Sequence, residues 1–447
     1  MTASRLSVKI SISTSERPAC SIKNKEIMKR TILLIPLLAL SLVSCAQYNE
    51  IHKAGIKTLQ VVCGDKWLAL PIMKLRSDNP SQNRINISFD DLTHTYHRYT
   101  YSITHCEADW SPSEQLFASD YIEGFAEDNT IDDITESINT NVDYTHYAFS
   151  IPNEKCRLKL SGNYRVTVAD GDTGEEVITA CFMVVDQKAG ISMGATTNTD
   201  IDTNLAHQQI SMKLSYNALR VADPETQIKT VVMQNRRWDN ARRNAQPQYK
   251  TPSGLEWRHN RELIFEAGNE YHKFETLATS HATMGIDEIS WDGENYHAHV
   301  FADVPRPNYL YDEDANGAFY IRNSDNIENE NTCDYMYVHF TLDSKERYPG
   351  DIYLNGEWTY NRFLPEYKME YNEEKRRYEA AILLKQGYYS YQYLMEGSDA
   401  TMKTSPSEGN FYQAENKYQA LIYYRGQGDR TDQLVGYQEI QLNPNGH

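Results

Sequence analysis

Alternation of apolar and polar residues recurs along most of this chain and predicts β-strands. Residues 57–62 (KTLQVV) and 85–89 (INISF) alternate as half-buried strands do, and 96–105 and 144–151 are further runs rich in β-branched and aromatic residues. Beyond residue 46, no segment carries a long apolar stripe at helical spacing. The pattern therefore predicts an all-β protein.

A turn signal at 170–174 (DGDTG) lies between two strand-like runs, 163–169 and 177–185. The Asp-Gly pair tolerates the positive φ angles that tight hairpins require. The pattern predicts an antiparallel hairpin at this place. Together with the earlier strands, it favours an immunoglobulin-like sandwich over 47–188.

Composition divides the rest of the chain. Residues 189–207 are poor in large apolar side chains and are expected to form a linker. The next region, 208–332, contains strand-like runs and ends in a polar, turn-rich segment. With a last β region over 333–447, we expect two or three consecutive antiparallel sandwiches of immunoglobulin or early-set type.

The last region resembles the early-set sandwiches, which include glycogen-binding modules. The resemblance rests on a strand that ends at 355–358 (NGEW), followed by a strand that begins at 387–393 (GYYSYQY). Aromatic faces stack on sugar rings, so Trp358 and these tyrosines are a candidate glycan-binding face, although a packed core explains them equally well. The tyrosines are Tyr388, Tyr389, Tyr391 and Tyr393.

A secretion signal is expected at the amino terminus. Met28 and two basic residues precede an apolar run over 31–43, which is too short to span a bilayer but suits the core of a signal peptide. Because residues 1–27 are polar, we expect Met28 to be the true start. The leader with its signal peptide falls within 1–46, and we expect it to direct the chain to the periplasm.

The cleavage site has two alternatives. Residues 42–45 (LVSC) fit a lipoprotein box, in which Cys45 would be lipidated and become the first residue. Small residues at 44–46 also fit cleavage before Gln47. Beyond the leader no apolar stretch approaches the length of a membrane span, so we expect a mature chain without one.

Net charge and cysteine content limit the binding partners and the disulfides that can be expected. A net charge of −18 and a pI near 5.2 disfavour binding to nucleic acid or anionic lipid. The five cysteines beyond the leader form no C-x-x-C pair and are odd in number, so at least one is unpaired. Buried thiols are the expected state, and a disulfide among Cys106, Cys156 and Cys181 is the alternative.

Two patterns could bind a metal ion. Residues 312–317 (DEDANG) match the opening of a calcium loop, but the twelfth position is Asn323 where such loops carry glutamate. His297 and His299 point to one face of a strand, as two zinc ligands would. An acidic turn and a wet strand face explain these patterns better, so we expect neither a metal nor another cofactor.

The remaining chemistry-bearing patterns are sparse. Residues 236–238 (RRW) and 242–243 (RR) form a basic patch that could contact a polyanion, but in so acidic a chain it is expected to answer acidic groups within the fold or on a partner. The sequence contains no G-x-S-x-G, no P-loop and no H-E-x-x-H motif. Nothing in it favours an enzyme.

A long acidic connection with spaced aromatic residues follows the strand-like run 96–105. Connections of this length are usually functional or disordered, and its aromatic residues argue that it packs onto something. Sequence motifs in and around this connection resemble those of the type IX secretion plug protein family of Bacteroidetes-type bacteria. The shared motifs are CEADW at 106–110, DYIEGF at 120–125, SINT at 137–140, YTHY at 144–147, IPN at 151–153 and LSGNY at 160–164.

The resemblance implies a non-enzymatic periplasmic protein, associated with the outer membrane, that closes the periplasmic mouth of the type IX translocon barrel when no cargo shuttle is bound. Aromatic residues anchor interfaces disproportionately, so Trp110, Phe117, Tyr121 and Phe125 are the candidate partner-contact residues. Packing of this loop over its own sandwich is the alternative. A glycan-binding periplasmic or surface lipoprotein, anchored through Cys45, is the rival function.

Overall fold

A computed structural model describes residues 49–79, 82–398 and 401–444. The expected leader, with Met28 and Cys45, lies outside the described residues. Residues Ala46–His447 form one compact unit. Its strands belong to several mainly antiparallel sheets, which confirms the all-β prediction.

In the first sandwich, a six-stranded sheet packs against a four-stranded sheet. The six-stranded sheet has the order β1-β12-β11-β5-β7, with β3 beside β12, and the four-stranded sheet has the order β2-β4-β9-β8. Strands β6 and β10 form a separate two-stranded ribbon, preceded by helix α1 (Ala118–Tyr121). The strands are β1 Glu50–Ile51, β2 Ile56–Cys63, β3 Ile72–Lys74, β4 Ile85–Asp91, β5 Tyr99–Cys106, β6 Ile122–Gly124, β7 Asn129–Thr130, β8 Asp133–Glu136, β9 Thr145–Ile151, β10 Cys156–Leu158, β11 Gly162–Asp170 and β12 Glu176–Val185.

The side-chain period of two explains why these residues form strands. In β5, Tyr99, Tyr101 and Ile103 are buried, whereas the residues between them are only half-buried. Strands β11 and β12 pair antiparallel across a turn in which Gly174 has a φ of +74°, so the predicted hairpin is confirmed. The core of this sandwich thus follows from the sequence pattern.

A second sandwich combines the middle of the chain with its carboxyl end. One sheet has the order β13-β14-β18-β17 with β19 beside β14, and the other has the order β16-β15-β30-β31. Helix α2 (Pro224–Gln227) and a 3-10 turn, Arg261–Leu263, connect its strands. The strands are β13 Gly190–Thr196, β14 His207–Ser215, β15 Ile228–Gln234, β16 Arg242–Arg243, β17 Tyr249–Thr251, β18 Gly254–Trp257, β19 Ile264–Glu266, β30 Asn416–Tyr424 and β31 Gln433–Leu442.

Two features of this sandwich differ from expectation. Gly190–Thr196, inside the expected linker 189–207, is a strand, because Ile191, Met193 and Ala195 pack against the core at a period of two. Strand β30 pairs with Ile228–Gln234 and β31 pairs with β30, whereas neither pairs with the rest of 333–447. The proposed boundaries of the domains stay a prediction.

The remaining strands form a ten-stranded sheet with the order β20-β28-β25-β26-β27-β24-β22-β21, and with β23 and β29 beside β28. Helix α3 (Asn329–Thr332) and 3-10 turns at Glu357–Thr359 and Pro365–Tyr367 lie between them. The strands are β20 His272–Glu275, β21 Ile286–Trp291, β22 Tyr296–Val300, β23 Phe319–Ile321, β24 Tyr335–Asp343, β25 Ile352–Asn355, β26 Lys368–Asn372, β27 Arg377–Lys385, β28 Gly387–Glu396 and β29 Met402–Thr404.

A buried ion pair joins the first sandwich to the ten-stranded sheet. The Lys385 Nζ atom lies 2.6 Å from Asp90 Oδ2, and the Tyr335 hydroxyl donates to the same oxygen at 2.6 Å. His146 Nδ1 lies 2.6 Å from the other oxygen, and the Lys385 ammonium stands over the Tyr144 ring. Removing one partner would leave a buried charge uncompensated, so this junction holds the two parts together.

None of the helices in the described part of the chain is long and apolar enough to cross a membrane. The five cysteines among the described residues are buried thiols, so the alternative of a disulfide is not realised there. Burial raises the pKa of the Cys333 thiol to about 12. That thiol therefore behaves as a packing group.

Candidate partner-contact surface

The segment from Cys106 to Phe125 leaves β5 and returns to the first sandwich as the ribbon strand β6. Cys106 bridges to Pro112, which closes a short turn at the start of the segment. Trp110, inside this turn, has a φ of +69°, a left-handed conformation that is uncommon for a bulky residue. The turn aims the Trp110 side chain into the protein.

Trp110 is fully buried, contrary to its expected role as a partner contact. Its ring packs edge-to-face on Trp238 of the second sandwich, with the centroids 5.5 Å apart. Its carbonyl oxygen accepts a hydrogen bond of 2.9 Å from the Arg165 side chain. Since a buried side chain offers no area to a partner, Trp110 serves the contact between the two sandwiches.

The neighbouring residues continue this intramolecular contact. The Glu107 carboxylate accepts the Asp432 backbone N–H at 2.9 Å and pairs with Arg425. In return, the Ala108 backbone N–H donates to Asp432 Oδ2 at 3.1 Å. The CEADW motif therefore joins the first sandwich to the loop before β31. No local sequence pattern points to these partners, because they lie more than 300 positions away.

Tyr121, the third candidate contact residue, also lies in the core. Its side chain is 9% exposed, and its hydroxyl donates to the Ile103 carbonyl oxygen at 3.3 Å. Its ring packs near those of His105 and Tyr164. Tyr121 thus fixes α1 to the sandwich. Of the four predicted contact residues, Phe117 and Phe125 therefore remain as candidates.

Phe117 and Phe125 project into solvent at the two ends of this element. They are 75% and 69% exposed, respectively. Side chains of this size are usually covered, and such exposure on a structured element is a feature of binding sites. The segment that joins these two phenylalanines, residues 117–125, is named the phenylalanine ledge.

Local contacts hold the phenylalanine ledge in place. The Phe117 backbone N–H donates to Asp120 Oδ2 at 2.8 Å, and Arg430 pairs with the other Asp120 oxygen at 2.8 Å. The hydrogen bond from Arg430 lowers the pKa of the Asp120 carboxyl, so the carboxylate is charged at neutral pH. Because β6 pairs with β10, both ends of the ledge are fixed.

The surroundings of the phenylalanine ledge carry charges of both signs. Four exposed carboxylates lie close to it in sequence: Glu114, Glu123, Glu127 and Asp128. Across the β6–β10 pair, the exposed Arg157 lies opposite Glu123, and the exposed Lys159 donates to the Ser119 carbonyl oxygen at 2.6 Å. An aromatic pair among such charges is suited to a partner that offers an apolar pocket with a charged rim. The ledge is therefore the part of the predicted loop that can contact another protein.

The other sequence-derived candidates have intramolecular roles. His339 joins His297 and His299 on one sheet face, but His297 Nδ1 lies 2.8 Å from His339 Nε2 and the His299 and His339 rings stack at 4.4 Å. Burial and the neighbouring histidines lower the pKa of His339 to about 4. No group of three or more His, Cys, Asp or Glu residues in the described ranges could hold a metal ion.

The calcium-like turn is closed by its own backbone. Asp314 accepts the N–H groups of Tyr271 and Asn316, the second at 2.6 Å, while the Lys273 ammonium lies 2.6 Å from Asp312. Burial raises the pKa of Asp314 to about 6. The amide of Asn323, at the twelfth position, donates to Thr332. The structure thus matches an acidic turn.

Two arginines of the basic patch, Arg236 and Arg237, contact groups within the fold, whereas Arg242 and Arg243 are exposed. Arg236 is buried, pairs with Glu357 and donates to the Leu68 carbonyl oxygen at 3.0 Å. Arg237 pairs with Asp239 at 2.6 Å. These contacts leave neither guanidinium available to a polyanion.

The tyrosines of the last region are core residues. Tyr389, Tyr391 and Tyr393 are at most 2% exposed, and Trp358 is buried beside them. Tyr388 lies on the other side of β28, against Trp67. The predicted glycan-binding face therefore does not exist as a surface, because β28 is covered where these rings point.

Comparison with known proteins identifies relatives. Residues 56–186 match the model of the type 9 secretion system plug protein 1st domain. A solved structure of a hypothetical protein from Parabacteroides merdae is 38% identical, with a TM-score of 0.85, and the match covers 89% of this chain and 100% of that one. No curated protein matches the chain.

More distant structures add nothing to this. The carboxy-terminal domain of the antigen I/II-family protein AspA from Streptococcus pyogenes is 7% identical, with a TM-score of 0.13. The match covers 80% of this chain and 91% of that one. Scores this low carry no argument about fold or function.

Proposed function

Because the chain belongs to the type 9 secretion system plug protein family, we propose that it closes the periplasmic end of the outer-membrane translocon barrel when no cargo shuttle is bound. Family membership gives the chain a role in type 9 secretion, an association with the translocon and a place in the cell envelope. The family is not one of enzymes. We propose that this chain, too, catalyses no reaction and acts only through its shape and its binding to the barrel.

One observation carries the proposal furthest. The phenylalanine ledge lies within residues 56–186, the part that matches the plug-family model, and it exposes two large aromatic side chains on a fixed element. A docking element should be ordered before binding, since ordering it on binding would lower affinity. The ledge meets that requirement, so we assign it the contact with the barrel.

A plug must bind and also leave. Burying one phenylalanine side chain contributes about 1.5–3 kcal/mol, so two anchors provide a contact of a few kcal/mol. A competitor with a modest preference for the open barrel can shift such an equilibrium. The cargo shuttle is the natural competitor, because it engages the barrel during export.

Charge supplies a second part of the contact. The exposed carboxylates around the ledge, with Arg157 and Lys159 beside them, favour a barrel rim that carries charges in the complementary arrangement. Exposed charge pairs are screened by salt over about 8 Å at physiological ionic strength. We therefore expect plug binding to weaken as the salt concentration rises.

The contact is tested by co-purification of the barrel with the full-length plug. Replacing Phe117→Ala and Phe125→Ala together should lower the amount of plug that travels with the barrel by about tenfold or more, because exposed aromatic anchors dominate interfaces. Tyr96→Ala is the matched control, since Tyr96 is 67% exposed in the same sandwich. It should leave co-purification unchanged.

Two results would contradict different parts of the proposal. If the wild-type chain never co-purifies with the barrel, the plug function itself is wrong. If the wild type binds and the double alanine variant binds equally well, the function stands and the contact assignment is wrong.

The periplasmic, outer-membrane location and the lipid anchor also belong to the proposal. If Cys45 is lipidated, only Ala46–Asn49 separate it from β1, a reach of about 14 Å. Such a short tether would hold the folded body at the membrane surface. Mass spectrometry of the mature amino terminus distinguishes a diacylated Cys45 from a chain that begins at Gln47. No structural observation favours the rival glycan-binding function.

A further inference from the structure

Residues 301–314 (FADVPRPNYLYDED), named the strap, contain no strand and expose apolar side chains. Phe301 is 56% exposed, Val304 is 57% exposed and Leu310 is 79% exposed. Pro305 and Pro307 are exposed as well. Several apolar groups thus face solvent from one short segment.

Three polar side chains of the strap face the opposite way, at every third position: Asp303, Arg306 and Tyr309 each contact the protein body. Asp312, three positions further on, pairs with Lys273 but stays exposed. The Tyr309 hydroxyl donates to Glu270 Oε1 at 2.6 Å, and Lys273 lies 2.6 Å from Asp312. A period of three is that of a polyproline II ribbon, and Pro305 and Pro307 favour that conformation.

A buried ionic cluster holds the amino-terminal half of the strap. His272 lies between two carboxylates, 2.9 Å from Asp303 and 3.2 Å from Glu408. Arg306 pairs with Glu408, and the Tyr393 hydroxyl donates to Asp303 at 2.6 Å. Burial disfavours the charged imidazole, but Glu408 and Asp303 raise the pKa of His272 to about 9. The His272 imidazole is therefore charged at neutral pH.

The backbone adds few further restraints. Asp303 N–H donates to the Thr341 carbonyl oxygen at 2.8 Å, and Arg306 N–H donates to that of Ser407 at 2.7 Å. The strap is thus fixed mainly by inward charges. This reverses the usual order, in which apolar side chains turn inward and charges turn out.

We propose that the outward face of the strap is a docking ridge for a partner protein with an aromatic-lined groove and a basic rim. A pre-ordered, proline-containing ridge loses little entropy on binding, and aromatic grooves are the known receptors of such ridges. The basic rim follows from charge: Asp312 and Glu313 are exposed at the end of the ridge, and the chain carries a net charge of −18. This inference concerns a segment separate from the phenylalanine ledge and does not depend on the plug function.

Photo-crosslinking in native cells tests the ridge. The full-length chain carries a benzophenone amino acid at Leu310, and the control chain carries it at Leu205, which is 64% exposed on the second sandwich. We expect a discrete adduct from position 310 and none from 205. Peptide mapping should place the adduct beside aromatic and basic residues of the partner.

A second variant guards against misfolding and tests the apolar face directly. Val304→Asp in the chain with the probe at Leu310 should lower adduct formation by about tenfold, because a charge replaces an interface anchor. Its melting temperature should match that of the parent, since residue 304 is exposed. Absence of an adduct above the control, an adduct to a second copy of this chain, or an adduct that maps to a site without aromatic and basic residues would each overturn the proposal.

Discussion

The two halves of the acidic aromatic segment look alike in sequence and differ completely in environment. Trp110, in the first half, is fully buried against the second sandwich, whereas Phe117 and Phe125, in the second half, are 75% and 69% exposed. The first half binds within the molecule and the second is free to bind outside it. Aromatic content alone therefore does not identify an interface. What distinguishes the halves is the partner that the chain itself supplies.

The largest expected effect is on the buried half. Trp110→Ala should lower the free energy of unfolding by about 4 kcal/mol, because it removes a large buried ring and leaves a cavity between two sandwiches. Denaturant unfolding of the full chain measures this. A loss below 1 kcal/mol would mean that Trp110 is not needed for the contact between the sandwiches.

A smaller loss is expected for the polar part of the same contact. Glu107→Ala should cost about 2 kcal/mol, because the Asp432 backbone N–H and the Arg425 guanidinium lose their shared acceptor. Glu114→Ala, at an exposed carboxylate of the other half, is the matched control and should change unfolding by less than about 0.5 kcal/mol. Equal effects of the two substitutions would contradict the distinction between the halves.

The third effect depends on pH. Burial alone would raise the pKa of Asp432, but Lys229, the Ala108 N–H and Arg425 hold it below its usual value. A depressed carboxyl pKa stabilises the fold above the unfolded value, near 4, and this contribution is lost as the pH falls through the folded pKa. Asp432→Asn should therefore flatten the acid side of the stability curve, measured by melting temperature. An unchanged acid slope would refute the role of Asp432.

The smallest effect on stability is expected at the phenylalanine ledge. Phe117→Ala with Phe125→Ala should shift the free energy of unfolding by less than about 0.5 kcal/mol, because both rings are already in water. The same variant should lose barrel binding. Strong destabilisation would instead mean that the rings support the fold.

The sequence predicted local features better than long-range ones. The alternation in β5 and the Asp-Gly turn between β11 and β12 are local signals, and both were confirmed. The motifs that resemble the plug family were also confirmed, by the match over 56–186. The pairing of β30 with β15 was not predicted, because nearly 200 residues separate them and no local pattern encodes the choice of partner.

The candidate partner-contact surface also depends on contacts between residues far apart in sequence, which local patterns do not predict. Nothing near Trp110 in the sequence points to Trp238, and nothing near Glu107 points to Asp432. The strap did carry a signal, polar residues at every third position with apolar residues and prolines between them. A period of three is neither that of a strand nor that of an α-helix, so alternation and helical spacing do not predict this segment.

The most direct test of the plug function is the occupancy of the translocon in native envelopes. Barrel purified from cells without engaged shuttle should carry this chain in near-stoichiometric amount, and barrel purified with shuttle bound should lack it. Equal amounts in both preparations, or none in either, would contradict the account.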